Sequence, residues 1–215
     1  MPLKKKKNLF IAFEGIDGSG KSTHVRHLAE RLRQDGFMPY TTFEPTDSPI
    51  GSVIKNIMKG RIEADHRTIA GLFVADRLDH LLNKKNGILK KLKDGYTVIT
   101  DRYYFSSYAY QGAHMPIDWV IMANSLSADI LRPDLNIYID IKPETGMKRL
   151  NKGRGLMELY ETTETLNNVR KKYLEAIEKL KSRENILVID GNRPPEKVAA
   201  EIWKEVLTCL QKSSP

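Results

Sequence analysis

The stretch that decides the fold is Phe10-Ile-Ala-Phe-Glu-Gly-Ile-Asp-Gly-Ser-Gly-Lys-Ser-Thr23, which predicts an apolar strand, a glycine-rich turn and the start of a helix. Residues 15–22 have the spacing G-x-x-x-x-G-K-S of a phosphate-binding loop, or P-loop. Consecutive backbone N–H groups in such a loop, together with the N-terminus of the following helix, surround phosphate oxygens. The strand before the motif and the helix after it favour a nucleotide-phosphate site over a plain strand-turn-helix connection.

Each residue type in this loop has a physical reason. Gly15, Gly18 and Gly20 let the backbone turn tightly and approach an anion without an intervening Cβ. Lys21 can bridge the β- and γ-phosphates of a nucleotide, and Ser22 can ligate Mg²⁺. The loop by itself therefore predicts a site for a nucleotide and a metal ion, without indicating what happens to the nucleotide.

The composition is that of an ordinary globular protein. The chain has 215 residues, of which 40% are hydrophobic and 29% charged, which suits a single domain over 1–215 with a flexible basic N-terminus at 1–7. No apolar run approaches ~18 residues, and the lysines at 4–7 precede too short an apolar segment for a signal peptide. Cys209 is the only cysteine, which excludes an intrachain disulfide and fits a reducing compartment. We expect a cytoplasmic protein with no membrane partner.

The net charge of +8 raises the question of a nucleic-acid partner. However, the basic start of the chain has no aromatic residues interleaved with its lysines, and other lysines fall in pairs on predicted helix faces. We therefore expect no nucleic-acid partner, and the remaining charge favours small anionic substrates.

Hydrophobic patterning predicts five short apolar strands alternating with helices. The strands are expected at 8–14, 37–43, 96–100, 135–139 and 186–189. Helices are expected at 21–34, 50–59, 67–92 with a break near 83–87, 103–110, 117–126, 143–150, 156–181 and 196–210. This alternation indicates an α/β fold in three layers, with a doubly wound, five-stranded parallel sheet. Ligands of such sheets bind beyond the carboxyl ends of the strands.

An acidic residue lies at or just past the end of every predicted strand: Glu14, Glu44, Asp101, Asp140 and Asp190. These residues should share one edge of the sheet with the P-loop, where an aspartate after a strand can reach Mg²⁺ or its waters. Asp101 is the preferred candidate because Arg102 and a row of hydroxyl-bearing residues follow it. Asp17, inside the loop, is a further candidate for a metal contact. The alternative for each acid is that it only caps the following helix.

A predicted helix around residues 72–82 carries two stripes. Val74, Leu78, Leu81 and Leu82 form an apolar face, whereas Phe73, Arg77 and His80 line a second face. An aromatic ring and a guanidinium on one face suit a planar base, although a phenylalanine at helical spacing is more often part of a core.

Several motifs in order resemble those of the thymidylate kinase family, within the P-loop nucleoside monophosphate kinases. They are Phe-Glu-Gly-Ile-Asp-Gly-Ser-Gly-Lys-Ser-Thr, Glu44-Pro45, Phe73-x-x-Asp-Arg77 and Asp101-Arg-Tyr-x-x-Ser-Ser-x-Ala-Tyr-Gln-Gly112. The resemblance spans nearly the whole chain. It implies phosphoryl transfer from ATP to dTMP with Mg²⁺, by a homodimer, with a mobile lid at about 149–160.

The resemblance also implies roles for individual residues. Phe73 would stack on thymine, Arg77, Ser107 and Gln111 would contact its edge, Tyr110 would crowd the sugar, and Arg102 would hold the acceptor's phosphate. The other expected dTMP-binding residues are Glu44, Pro45 and Asp101. The ATP-binding residues would be Gly15, Ile16, Asp17, Gly18, Ser19, Gly20, Lys21, Ser22 and Thr23. The metal-binding residues would be Ser22, Asp101 and Asp17. The catalytic residues would be Lys21, Asp17, Arg102, Arg154 and Arg149.

Two positions depart from the family pattern. Phe43 stands where many bacterial members have arginine, so one contact to the acceptor phosphate is missing or is supplied elsewhere. Gly18 stands where some eukaryotic members have a catalytic arginine. The resemblance therefore implies that the lid supplies the catalytic positive charge. Arg154 is the first candidate for this role, Arg149 the second and Lys152 the third. The alternative for these basic residues is an ordinary surface turn.

Two other functions compete with this interpretation. A deoxynucleoside kinase, or another pyrimidine nucleoside monophosphate kinase, would share the P-loop and the Asp-Arg motif. A GTP-dependent switch or nucleic-acid-associated NTPase would need an Asn-Lys-x-Asp guanine motif after a strand, which the sequence does not contain.

Overall fold

The computed structural model describes residues 8–151 and 162–211. Its strands are β1 (Phe10–Glu14), β2 (Pro39–Phe43), β3 (Thr97–Asp101), β4 (Leu135–Asp140) and β5 (Ile186–Asp190). They form one parallel sheet in the order β2-β3-β1-β4-β5. The expected five-stranded parallel α/β fold is confirmed.

The described helices are α1 (Lys21–Gln34), α2 (Pro49–Met58), α3 (His66–Leu82), α4 (Ile88–Lys93), α5 (Tyr104–Tyr110), α6 (Ile117–Ala123), α7 (Ser125–Ile130), α8 (Pro143–Asn151), α9 (Thr163–Leu180) and α10 (Pro195–Gln211). None of these helices is both long enough and apolar enough to span a membrane.

Two apolar clusters cover the two faces of the sheet. One joins β1, β3 and β4 to α1 and α10, with Leu28, Leu32, Val198 and Ile202 among its buried members. The other lies on the opposite face and includes α5 and α9, with Tyr173 at its centre. All five side chains of β1 are buried because helices cover this strand on both sides.

The sheet order places β1 between β3 and β4. The chain leaves β1 into α1 on one face and leaves β3 into α5 on the other. Connections that diverge to opposite faces leave a crevice beyond the carboxyl ends of the two strands. The P-loop and Asp101 meet at this crevice.

Two helix predictions differ from the structure. The single helix expected at 117–126 is two helices that reach Ile130, and they are divided at Asn124. The Asn124 side chain is buried and donates to Val120 O, which draws the amide into the end of α6. The expected break at 83–87 is confirmed between α3 and α4. The expected helix start at 156 lies outside the described residues, and α9 is seen from Thr163.

Both stripes of α3 contain buried residues. Arg77 and His80 on one stripe are buried, and on the apolar face Leu81 is fully buried whereas Leu82 is 51% exposed. The buried Glu44 carboxylate bonds both Arg77 and His80 and so turns their stripe towards the sheet.

Candidate active site

A cleft of about 1060 Å³ opens beyond the carboxyl ends of β1, β2 and β3. One side is formed by the P-loop and α1, and the other by α2, α3 and the segment after β3. Its lining includes the following predicted site residues: Asp17, Gly18, Gly20, Lys21, Ser22, Thr23, Glu44, Pro45, Phe73, Asp101, Arg102, Ser107, Tyr110, Gln111 and Arg149. The donor and acceptor halves inferred from the sequence therefore face one space.

The P-loop backbone needs glycine at two positions for steric reasons. Gly15 has φ +146°, and a Cβ there would lie 2.7 Å from Ile139 O. Gly18 has φ +76°, and a Cβ there would lie 2.5 Å from Gly146 O on α8. A side chain at position 18 would therefore require α8 to move. The absence of an arginine there is built into the way α8 packs on the loop.

The Lys21 ammonium is buried inside the loop. Its Nζ donates to Gly15 O and Ile16 O, both at 3.0 Å. Burial, with the Arg102 charge nearby, lowers the pKa of Lys21 to about 8. An arriving phosphate would favour the charged form and give this ammonium anionic partners.

Ser22 and Asp101 are in direct contact. Ser22 Oγ donates to Asp101 Oδ2 over 2.5 Å, which joins the first turn of α1 to the end of β3. A hydroxyl and a carboxylate oxygen side by side form a donor set suited to Mg²⁺, which prefers few protein ligands and completes its shell with phosphate and water oxygens. The described residues contain no cluster of three or more His, Cys, Asp or Glu that could hold a metal ion.

Asp17 is turned towards Arg102 rather than towards Ser22. Arg102 Nη2 forms an ion pair with Asp17 Oδ1, and Tyr110 OH donates to Asp17 Oδ2 at 2.7 Å. Burial raises the pKa of Asp17, but the Arg102 and Lys21 charges outweigh this and hold it below its ordinary value. The carboxylate is thus charged and available, but a metal contact would compete with its ion pair.

The Arg102 side chain lies between the two halves of the cleft. Its Nη1 donates to Gly15 O at 3.3 Å and to Ser106 Oγ at 3.2 Å, and its guanidinium lies 4.9 Å from the Tyr110 ring centroid. Its backbone has φ +75°, which is unusual outside glycine and sets the direction of the side chain at the end of β3.

Arg77 lies beneath the cleft instead of lining it. It donates to Glu44 Oε2 at 2.9 and 2.7 Å, to Ser107 Oγ at 3.1 Å, to Tyr103 O at 3.2 Å and to Asn124 Oδ1. A contact between this guanidinium and a base edge would have to share or release one of these bonds. In the structure Arg77 anchors Ser107 and Glu44, and the Glu44-Pro45 peptide bond is cis.

The wall opposite the P-loop carries an aromatic ring and an unsatisfied amide. Phe73 on α3 is half-buried and lines the cleft. Gln111 is buried, and its Oε1 has no hydrogen-bond partner among the described residues. Ser107 Oγ accepts from Arg77, so its own proton remains available to a ligand. Together they offer a flat apolar surface, an acceptor and a donor, which are the contacts that a pyrimidine base can use.

Arg149 on α8 spans the outer side of the P-loop. Its Nη1 donates to Gly18 O at 3.2 Å and to Ser19 O at 3.4 Å, and its Nη2 donates to Gly191 O at 3.0 Å. Arg149 therefore ties the loop to the turn after β5. Arg154 and Lys152, the other candidates for the lid, lie outside the described residues, as does most of 149–160.

The remaining strand-end aspartates have structural partners. Asp140 forms a bidentate ion pair with Arg170 on α9, at 2.7 and 2.8 Å. Asp190 accepts from the backbone and side chain of Asn192 in the turn after β5. Neither lines the cleft, which leaves Asp101 as the strand-end aspartate beside the P-loop.

The sequence interpretation missed two groups at the site. Lys55 on α2 lines the cleft, with its Nζ 4.9 Å from the Phe43 ring centroid and 2.5 Å from Asp47 Oδ1. Tyr173 on α9 brings its hydroxyl within 3.5 Å of Arg102 Nη1. Neither carried a signal in the sequence, because one lysine among many and one tyrosine in an amphipathic helix are typical of surface and core positions respectively.

Comparison with known proteins gives a consistent result. The family model described as "Thymidylate kinase" matches residues 13–202. A "Probable thymidylate kinase" of Caldivirga maquilingensis is 41% identical over 208 residues, covering 94% of this chain and 93% of the relative. A "Probable thymidylate kinase" of Pyrobaculum calidifontis is 39% identical over 95% of this chain and 97% of its own length. A "Thymidylate kinase" of Leptospira interrogans is 33% identical over 99% of this chain and 100% of its own length.

Proposed function

The chain belongs to the thymidylate kinase family, and from that premise we propose that it transfers the γ-phosphoryl group of ATP to dTMP, giving ADP and dTDP. The observation that carries the proposal is the shared cleft. Lys21 and Ser22 of the P-loop face the same space as Arg102, Phe73 and Gln111. An enzyme that joins two phosphorylated nucleotides needs both sites on one space, because the attacking and leaving oxygens must lie roughly in line.

The donor half would hold the ATP phosphates. The backbone N–H groups of the P-loop and the N-terminus of α1 supply oriented donors, and Lys21 supplies a positive charge. Its bonds to Gly15 O and Ile16 O hold the ammonium inside the loop, so a phosphate can replace them without a large displacement of the side chain.

Ser22 and Asp101 would hold Mg²⁺, since their oxygens already lie together beside Lys21 in the lining of the cleft. When bound, Mg²⁺ would neutralise negative charge on the phosphate oxygens. Asp17 would contribute only after releasing Arg102, and we therefore assign it first to the positioning of that arginine.

The acceptor half would bind dTMP by its base, sugar and phosphate. Phe73 would stack on the base, Gln111 Oε1 would accept the thymine N3–H, and the Ser107 hydroxyl would donate to a base carbonyl. Tyr110, held by Asp17 and lying beside the guanidinium, would border the sugar. Arg102 would meet the phosphate.

Lys55 would supply the acceptor-phosphate contact that Phe43 does not. The Phe43 ring and the Asp47 carboxylate hold the Lys55 ammonium at the cleft wall. An ammonium is a point charge, whereas an arginine would grip a phosphate with two parallel bonds. The contact should therefore be weaker and more sensitive to salt than that of an arginine.

The charge that builds up during transfer needs further cations, because Gly18 brings none. Arg149 is already fixed against the loop, and we propose Arg154 as the residue that completes this set. In such a reaction the protein contributes position and positive charge rather than a covalent nucleophile.

A deoxynucleoside kinase remains the second candidate. Arg102 and Lys55 favour a phosphorylated acceptor, because a phosphate adds an anionic partner to cations that now pair with Asp17 and Asp47, whereas an uncharged hydroxyl acceptor adds none. ADP formation should be measured with dTMP, thymidine, dUMP, UMP, dCMP, dGMP and dAMP in parallel. We expect dTMP to give the highest kcat/KM, and a clear preference for any other acceptor would contradict the proposal.

We also propose a homodimer, as the family resemblance implies. The apolar side chains Trp119, Met122 and Leu126 on α6 and α7 are 40%, 63% and 58% exposed, and Leu82 on the neighbouring α3 is 51% exposed. Exposed apolar side chains gathered on adjacent helices are typical of an interface. Light scattering after size exclusion should give twice the 24.6 kDa chain mass, and Met122→Lys should shift the mass towards the monomer.

A further inference from the structure

Glu14 is a fully buried carboxylate at the carboxyl end of the central strand. It is 1% exposed, and it accepts three hydrogen bonds. The donors are Tyr103 N at 2.9 Å, Ser106 Oγ at 2.6 Å and Tyr173 OH at 3.2 Å. It has no part in the proposed metal site, since Ser22 and Asp101 make no contact with it among the bonds of the described residues.

Two of the three donors also contact Arg102. Arg102 Nη1 donates to Ser106 Oγ at 3.2 Å and lies 3.5 Å from Tyr173 OH. The two hydroxyls also lie 2.8 Å apart, and each has one proton to give. Tyr173 can therefore donate to Ser106 while Ser106 donates to Glu14, which leaves lone pairs of both hydroxyls for the guanidinium. The order guanidinium, hydroxyl, carboxylate links a cation to an anion through polarised hydrogen bonds, which strengthen one another in a buried setting.

Arg102 is the kind of residue that needs such support. Its backbone lies in the left-handed region, so the local chain conformation does not hold the side chain against a helix or strand. Asp17 pairs with Nη2 from the P-loop side. The contacts on Nη1 are with three buried residues: Ser106 on α5, Tyr173 on α9 and Gly15 at the start of the P-loop.

We propose that Glu14 is a positioning residue for Arg102, acting through the Ser106 and Tyr173 hydroxyls to hold the guanidinium where it meets the acceptor's phosphate. This inference rests on the proposed function, because it takes Arg102 as the acceptor-phosphate arginine. The competing explanation is that Glu14 only secures the start of α5 through Tyr103 N. That role would affect stability and all ligands alike, whereas positioning of Arg102 affects only ligands with a phosphate in the acceptor half.

The test compares dTMP with thymidine, which lacks the phosphate, by calorimetric titration of the full chain at pH 8, above the pKa of about 7 of Glu14, so that its carboxylate is ionised. For Glu14→Gln, which keeps the shape and removes the charge, we expect the Kd for dTMP to rise about tenfold and the Kd for thymidine to change less than about twofold. In steady-state assays the KM for dTMP should rise while the KM for ATP stays near wild type. Equal weakening of dTMP and thymidine, or no weakening of either, would overturn the inference.

Two further variants keep the test decisive if Glu14→Gln does not fold. Ser106→Ala and Tyr173→Phe each remove one hydroxyl between Glu14 and Arg102 while the carboxylate stays in place. Each variant should raise the Kd for dTMP a few-fold and leave the Kd for thymidine unchanged. The double variant should raise the Kd for dTMP by more than either single variant. If both variants bind dTMP as the wild type does, Glu14 does not act through these hydroxyls.

Glu184 provides a matched control. Its carboxylate is also largely buried and hydrogen-bonded, to Tyr104 OH at 2.9 and 2.8 Å and to Asn136 Nδ2 at 3.3 Å, but at the other end of the sheet. Glu184→Gln should leave the Kd values of dTMP and thymidine unchanged. If it weakens dTMP selectively as Glu14→Gln does, the effect of Glu14 is not specific to Arg102.

The same data separate this inference from the proposed function. Wild type should bind dTMP more tightly than thymidine, and Arg102→Ala should remove most of that difference. If wild type shows no preference for dTMP, the proposed function fails. If it shows the preference and Arg102→Ala removes it, but Glu14→Gln does not, only the positioning inference fails.

Discussion

Ser22 Oγ donates a 2.5 Å hydrogen bond to Asp101 Oδ2, so the first turn of α1 and the end of β3 meet at one point of the cleft. We expect Asp101→Asn to lower the affinity for Mg²⁺ and to reduce kcat by at least ~10-fold, because the amide offers one neutral oxygen in place of a carboxylate. Higher Mg²⁺ should restore part of the rate. The measurement is the Mg²⁺ dependence of ADP formation.

Asp140→Asn is the control for this prediction. Asp140 ends the next strand but one in the sheet and pairs with Arg170 instead of facing the cleft. The Mg²⁺ dependence of ADP formation by Asp140→Asn should match that of the wild type. Equal Mg²⁺ curves for Asp101→Asn and wild type would show that Asp101 is not a metal ligand.

Gly18→Ala should destabilise the folded protein and weaken the binding of ATP. The new Cβ would meet Gly146 O at 2.5 Å and would also be held at φ +76°, and together these should cost roughly 2 to 4 kcal/mol in the free energy of unfolding. The KM for ATP should rise because α8 and the loop must separate. Chemical denaturation and ATP kinetics measure the two effects.

Substitutions at two other glycines serve as controls that separate the cost of backbone strain from the cost of the steric clash with α8. Gly60 has φ +68° with open space around it, so Gly60→Ala should show the backbone strain alone, about 1 kcal/mol. Gly71 on α3 has no such strain and no neighbour within 4 Å, so Gly71→Ala should be neutral or stabilising by up to ~1 kcal/mol. A Gly18→Ala cost no greater than that of Gly60→Ala would contradict the contact with α8.

Lys55→Met should weaken the binding of dTMP and leave the binding of thymidine unchanged, because the lysine is proposed to contact the phosphate. We expect the KM for dTMP to rise about 3- to 10-fold, the range for loss of one partly exposed charge contact. Phe43→Arg in this background should recover binding by restoring a cation at the neighbouring position. Lys90→Met, on the distant helix α4, is the control, and an unchanged KM in Lys55→Met would refute the assignment.

Arg149→Ala and Arg154→Ala should affect different kinetic constants. Arg149 ties Gly18 and Ser19 to Gly191, so its loss should raise the KM for ATP. Arg154→Ala should lower kcat by at least ~10²-fold if this residue supplies charge in the transition state. Turnover near wild type for Arg154→Ala would rule out that role.

Glu14 should make stability depend on pH. Burial raises its pKa from the ordinary value of 4.5 to about 7, against the lowering effects of Ser106 and Arg102. Between those values the folded state holds a proton that the unfolded state has lost, so the free energy of unfolding should fall as pH rises, by roughly 3 kcal/mol in all. The ionisable groups that interact with Glu14 are Arg102, Arg77, Lys21, Tyr108, Tyr138 and Tyr173.

Urea denaturation of wild type and Glu14→Gln at pH 5 and pH 7.5 measures this dependence. The difference between the two proteins removes the contribution of the other titrating groups. We expect Glu14→Gln to lose less stability over this interval than wild type. Parallel curves for the two proteins would mean that the pKa of Glu14 is not raised in the folded state.

Much of the architecture followed from the sequence because its signals are local. A strand and a helix each bury side chains at a regular spacing along the chain. The apolar run at 135–139 and the helical spacing at 21–34 show these spacings, and the strand and the helix both form as expected. The break after α3 was readable from the polar, glycine-bearing stretch at 83–87. The division at Asn124 was not, because it depends on a side chain that bonds Val120 O and Arg77 from another helix.

The sequence named many of the residues that line the cleft, but it did not indicate their hydrogen-bond partners. Sequence motifs named Arg77 as a base contact, whereas the fold places it under the cleft with its donors engaged by Glu44, Ser107 and others. They named Asp17 as a metal contact, whereas the fold pairs it with Arg102. A hydrogen-bond partner distant in the chain decides where a polar side chain points, and no local pattern encodes it.

The sequence by itself determined the parallel α/β fold, the P-loop and the family, because these depend on spacing along the chain and on residue types that few other structures require. Only the tertiary structure decided that Gly18 has no room for a side chain, that Lys55 stands beside Phe43, and that Glu14 reaches Arg102 through two hydroxyls. These relationships join residues from different strands and helices. They form only when burial brings the elements together and most buried polar groups must find a partner within the protein.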